Sequence, residues 1–124
     1  PHIALVVVPN AVTQQVVALI VQDLGYEVLT AGNLTEAVEL FKQWQFSVVI
    51  YDCHMAESQP FELVKYIRAG EADKLSRLPV VGMTDDPEVQ SEGRRNGIDN
   101  FLSLPVDPTE LKTVMQHLGL PGEA

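Results

Sequence analysis

Short, wholly apolar runs alternate along this chain with longer stretches whose apolar residues recur at helical spacing. Ile3 to Val8 has no polar side chain and is rich in β-branched residues, as a parallel strand covered on both faces should be. Pro9-Asn10 ends it. From Ala11 to Leu24, Val12, Val16, Leu19, Ile20 and Leu24 fall on neighbouring faces of a helix that Gly25 stops. Glu27 to Ala31 reads as a second strand. Asn33 is placed to cap a helix carrying Leu34, Ala37, Val38, Leu40 and Phe41, with Glu36 three residues on in capping-box spacing. Ser47 to Tyr51 is a third strand and delivers Asp52 at its end. Phe61 to Ala69 is a helix with Leu63, Val64 and Ile67 inward, Gly70 ends it, and 71–77 is a polar helical tail or loop. Pro79 to Met83 and Asn100 to Ser103 are the last two strands. Asp86-Pro87 and Asp107-Pro108 each join an N-cap to a proline at the first helical position, opening helices that run to Gly97 and to His117, with Gly119 as the final cap.

Strict alternation of five strands and five helices predicts an α/β fold with a parallel sheet and right-handed crossovers. The expected arrangement is flavodoxin-like, a doubly wound (βα)5 sheet in strand order 2-1-3-4-5. Its functional crevice lies beyond the carboxyl ends of the strands, where Val8-Pro9 and Asp52 fall. One domain is expected over 1–120, with 121–124 as a linker or tail.

Composition narrows the function classes. The 124 residues are 46% hydrophobic, enough for a real core. A formal net charge of −9 argues against nucleic acid or an anionic membrane surface as a direct ligand, since both reward clustered Lys and Arg. A single cysteine excludes a disulfide framework and fits a reducing, cytoplasmic compartment. No apolar run approaches the roughly 18 residues that span a bilayer. No GxGxxG or phosphate-loop pattern supports a nucleotide-binding enzyme on this fold.

Four segments in order then carry a resemblance that covers almost the whole chain: Val48-Val49-Ile50-Tyr51-Asp52-Cys53-His54-Met55, Pro79-Val80-Val81-Gly82-Met83-Thr84, Gly97-Ile98-Asp99-Asn100-Phe101-Leu102-Ser103, and Pro105-Val106-Asp107-Pro108-Thr109-Glu110-Leu111. The chain resembles the receiver domain of two-component phosphorelay signalling, with particular similarity to receivers of hybrid sensor histidine kinases. The resemblance implies a signalling module, itself no enzyme, within a parent that is a histidine kinase. It implies Asp52 as the phosphoacceptor, Thr84 as the hydroxyl that meets phosphoryl oxygens, and Phe101 as the aromatic that moves on activation. The partners it implies are a histidine kinase domain or a neighbouring receiver, or a second copy in a homodimer. The docking face it implies is built by the fourth helix, fifth strand and fifth helix. The setting it implies is cytoplasmic, with tethering to the inner membrane through the parent kinase.

The same resemblance exposes departures. The family's two acidic residues after the first strand are Val8 and Pro9 here, and its lysine after the fifth strand is Leu104. The loop after the acceptor is rewritten too, with Ala56 and Pro60 in place of the usual proline and glycine. Phosphoryl transfer relies on positioning and charge neutralisation, and Mg²⁺ is normally anchored by one or two carboxylates. Only Asp52, His54 and Asp85 remain as weak metal donors, and no resident cofactor is expected. Asp85 has three open readings: it obstructs the pocket and repels a phosphoryl group, it rebuilds a metal site with Asp52, or it points to solvent. Beside Val8 and Leu104, Asp52 is expected to be poorly solvated and unpaired. The expected function is therefore that of a pseudo-receiver acting through protein–protein contact, with a still-phosphorylatable receiver as the alternative. Cys53 is expected as a buried small hydrophobe, Trp44 as packing or a surface anchor, and His117 as a solvated surface residue.

Overall fold

The computed structural model describes residues 2–55, 60–71 and 77–118. The elements follow the predicted alternation: β1 Ile3–Val7, α1 Ala11–Asp23, β2 Glu27–Ala31, α2 Leu34–Gln43, β3 Val48–Asp52, α3 Glu62–Ala69, β4 Val80–Met83, α4 Pro87–Arg95, β5 Asn100–Leu102 and α5 Pro108–His117. The strands form one parallel sheet in the order β2-β1-β3-β4-β5. The predicted tail at 121–124, the Gly119 cap, Ala56 and most of 71–77 lie outside the described residues.

Each strand divides its side chains between two cores. Ala4, Val6, Val8, Val48, Ile50, Val81, Met83 and Leu102 meet Val17 and Val21 of α1 and Leu111, Val114 and Met115 of α5. Leu5, Val7, Val49, Tyr51, Val80 and Phe101 meet Ala37 of α2 and Leu63, Val64 and Ile67 of α3 on the other face. This two-sided burial is the reason the strands read as continuous apolar runs rather than as alternating ones.

Local chemistry sets the helix ends. Asn33 Oδ1 accepts the Glu36 amide at 2.9 Å, and Glu36 Oε1 accepts the Gly32 amide at 2.7 Å, one residue beyond the N-cap amide that the reciprocal box would use. Asp86 and Asp107 cap α4 and α5 through the amides of Glu88 and Thr109. Asn10, which follows the apolar run of β1, also caps α1 by accepting the Thr13 amide. Gly25 and Gly97 end their helices at positive φ, where a side chain would be strained.

The inward stripe of α1 differs from expectation. Val17, Val21 and Leu24 are buried, whereas Val12 is 73% exposed and Val16 and Leu19 also face outward. Almost every position of α1 is apolar or uncharged, so helical periodicity alone permits several stripes. The sheet selects the one that meets Ala4, Val6 and Val8.

Candidate functional site

Asp52 is the last residue of β3, and its register partner on β4 is Met83, so Thr84 emerges beside the acceptor position. The Cys53 amide continues the pairing by donating to Met83 O at 3.2 Å. Asp52 is half-buried, and its Oδ1 accepts the His54 amide at 2.8 Å in a local Asx turn. The expected poorly solvated, unpaired carboxylate is therefore not what the strand end presents.

Thr84 is completely buried. Its amide donates to Leu102 O at 3.0 Å, which fixes it between β3 and β5. Its Oγ1 accepts the Asp86 amide at 3.1 Å and lies 2.6 Å from His54 Nε2. The sequence offers His54 as a weak metal donor beside Asp52, and nothing local points to Thr84 as its partner. The contact with Thr84 spans 30 residues and needs the β3–β4 register to appear.

The positions of the lost charges are occupied differently from one another. Val8 is completely buried and belongs to the core under α1 and α5. Gln14 Nε2 donates to Val8 O at 2.9 Å and to Ala31 O at 3.2 Å, sealing the ends of β1 and β2 with an amide. Pro9 is exposed. Leu104 is 38% exposed, and its amide donates to Asp85 Oδ1 at 3.0 Å. Asp85 is exposed, as its solvent-facing reading has it, and it also ties the β4–α4 loop to the β5–α5 loop.

The donor set does not fit the Mg²⁺ that the resemblance implies. Val8 brings an aliphatic side chain in a dry core, Pro9 brings no carboxylate, and Asp85 is engaged by the Leu104 amide. Among the described residues, no group of three or more His, Cys, Asp or Glu is placed to hold a metal ion.

Phe101 is 8% exposed and wedged between two glycines. A Cβ at Gly82 would meet its Cε1 at 3.1 Å, and a Cβ at Gly93 of α4 would meet its Cζ at 2.8 Å. The Arg94 guanidinium covers the ring at 5.1 Å from the centroid. Cys53 is buried as expected, and burial, with Asp52 nearby, pushes its thiol up to about 12, which leaves it unreactive at neutral pH. Burial likewise raises Tyr51, whose hydroxyl donates to Pro60 O at 2.9 Å. His117 and Trp44 are exposed.

Comparison with known proteins agrees with this architecture. The family model described as "Response regulator receiver domain" matches residues 4–116. The chain belongs to that family. Response regulator Rre1 of Synechocystis sp. is 31% identical to this receiver over 112 residues, covering 86% of the chain and 46% of the relative. "Probable transcriptional regulator ycf29" of Porphyra purpurea is 34% identical over 101 residues, covering 77% of this receiver and 46% of the relative. The chain thus spans about half the length of these curated relatives. The chemotaxis response regulator CheY4 of Vibrio cholerae superposes with a TM-score of 0.83 at 30% identity, over 94% of this receiver and 98% of that chain. No helix among the described residues of this receiver is long and apolar enough to cross a membrane.

Proposed function

We propose that this receiver is a pseudo-receiver, a phosphorelay module that works through protein–protein contact and keeps Asp52 as a remnant acceptor. The observation that carries this reading is Val8. Where the family resemblance calls for an acid, Val8 is a fully buried part of the hydrophobic core, so a carboxylate there would sit among aliphatic side chains instead of facing a cation. Leu104 in place of the lysine leaves no ammonium to meet phosphoryl charge, and Asp85 is committed to the Leu104 amide. The docking surface in this reading is the α4–β5–α5 face. The partner is a histidine kinase domain or a neighbouring receiver within a hybrid sensor kinase, or a second copy. That parentage rests on the sequence resemblance of the β3, β4 and β5 segments, and places the domain in the cytoplasm beneath a membrane-tethered sensor.

A second reading, slow phosphorylation of Asp52 from a kinase histidine, is favoured by two observations. Asp52 keeps partial solvent access, and a hydroxyl stands at the neighbouring strand end. Incubation of the chain with acetyl phosphate and Mg²⁺, followed by intact-mass analysis, separates the two. The pseudo-receiver reading expects no phosphoryl adduct. An adduct that disappears in Asp52→Asn overturns it in favour of the second.

A further inference from the structure

His54 is joined to both strand ends of the crevice. Its amide donates to Asp52 Oδ1 at 2.8 Å, and its Nε2 stands 2.6 Å from Thr84 Oγ1. The residue is exposed, so core packing does not hold its ring in place. The hydroxyl has one proton and two lone pairs. The Asp86 amide takes one lone pair, and the imidazole takes either the other or the proton.

From Thr84 the connections run directly into α4. Gln90 Nε2 donates to Thr84 O at 3.2 Å, the Gln90 amide donates to Asp86 O at 3.0 Å, and Asp86 Oδ1 caps the Glu88 amide at 2.9 Å. The helix is also held by packing: Val89 of its first turn lies against the core, and Gly93 and Arg94 near its far end meet Phe101. Thr84 is therefore the polar hold on the first turn of α4, beside the apolar packing of Val89.

We propose that His54 is a positioning residue that clasps the β3–α3 loop to Thr84 and so sets the first turn of α4, and with it the docking face, without a phosphoryl group on Asp52. The inference rests on the pseudo-receiver reading and deepens it by naming what fixes the interaction surface. Asp52 takes part as the acceptor that orients the His54 backbone, and Thr84 as the relay into α4.

The test is NMR spectroscopy of the ¹⁵N-labelled chain as wild type, His54→Ala, Thr84→Ser and Thr84→Val. The His54 Nε2 resonance is expected to be displaced from that of a free imidazole in wild type and in Thr84→Ser, which keeps the hydroxyl, and to return to it in Thr84→Val. His54→Ala is expected to shift the amides of Asp86, Glu88 and Gln90 while leaving those of α1 in place. The Asp86 amide should exchange roughly threefold to tenfold faster, as loss of one net hydrogen bond allows. If the buried Thr84→Val substitution prevents folding, His54→Ala at its exposed position carries the test alone. Unchanged α4 amides in His54→Ala, or a free-imidazole Nε2 in wild type, overturn the clasp. Phosphorylation of wild-type Asp52 by acetyl phosphate overturns the pseudo-receiver reading instead, so the two failures are distinguishable.

Discussion

Two aspartates at opposite ends of the sheet show how differently one residue type can be used. Asp99, just before β5, is saturated. Its Oδ2 accepts Arg68 Nη2 at 2.9 Å and the Val80 amide at 2.8 Å, and its Oδ1 accepts Arg77 Nη2 at 2.8 Å. Arg68 extends the knot to Glu71, to Leu78 O and to Gly97 O. Asp52, at the end of β3, accepts one local amide and has no ion pair among the described residues. A carboxylate with several charge-assisted partners is committed to holding elements together. One with a single backbone partner at a crevice is free for a ligand or for loop geometry. The difference teaches that the crevice lacks charged partners for Asp52 at Val8, Pro9 and Leu104, while the structural end of the sheet holds a dense set of ion pairs.

Substitutions can break or sharpen that contrast. The largest effect is expected from restoring an acid at the crevice. Val8→Asp buries a carboxylate in a fully occluded aliphatic site and should cost about 4 kcal/mol in urea unfolding. A near-neutral result would mean that the crevice still admits water. Asp99→Ala should come next, at about 2 kcal/mol, because it leaves the part-buried Val80 amide without its acceptor and removes the carboxylate shared by Arg68 and Arg77, while Arg68 keeps Glu71. A loss below that of an ordinary surface substitution would remove the structural half of the comparison.

Gly93→Ala tests the seat of Phe101. Helix propensity favours alanine by about 1 kcal/mol, yet the new Cβ would lie 2.8 Å from Phe101 Cζ and 3.0 Å from Ile98 Cδ1. Overpacking of that kind costs about 1–3 kcal/mol, so a net loss near 1 kcal/mol is expected in thermal unfolding. A gain in stability would show that the ring yields. Asp52→Asn and Leu104→Lys should be the smallest, each within about 0.5 kcal/mol, since one side chain makes a single local hydrogen bond and the other is partly exposed. A large loss from Asp52→Asn would make Asp52 a structural acid like Asp99.

Much of the fold was legible because its signals are local. The β-branched run Ile3–Val8, the Asp-Pro starts at Asp86 and Asp107, and the stop at Gly25 each act within a turn or a strand of chain. The stripe of α1 is not legible in the same way, because a helix with one charged residue in thirteen leaves its buried face open until a sheet is laid against it. In the site, Asp52, Thr84 and Phe101 were legible from their places in the matched segments. Gln14 carried no motif to announce that it seals two strand ends.

The sequence by itself determined the alternation of elements, the placing of Asp52 at the end of a strand, and the absence of charge at Val8, Pro9 and Leu104. Those properties depend on residue identity and on neighbours a few positions away. The tertiary structure alone decided that Val8 is sealed in the core, that Asp85 holds Leu104, that His54 meets Thr84, and that two arginines converge on Asp99. Each of those contacts joins residues that are distant along the chain. It exists only once parallel pairing has set the register that brings them within reach.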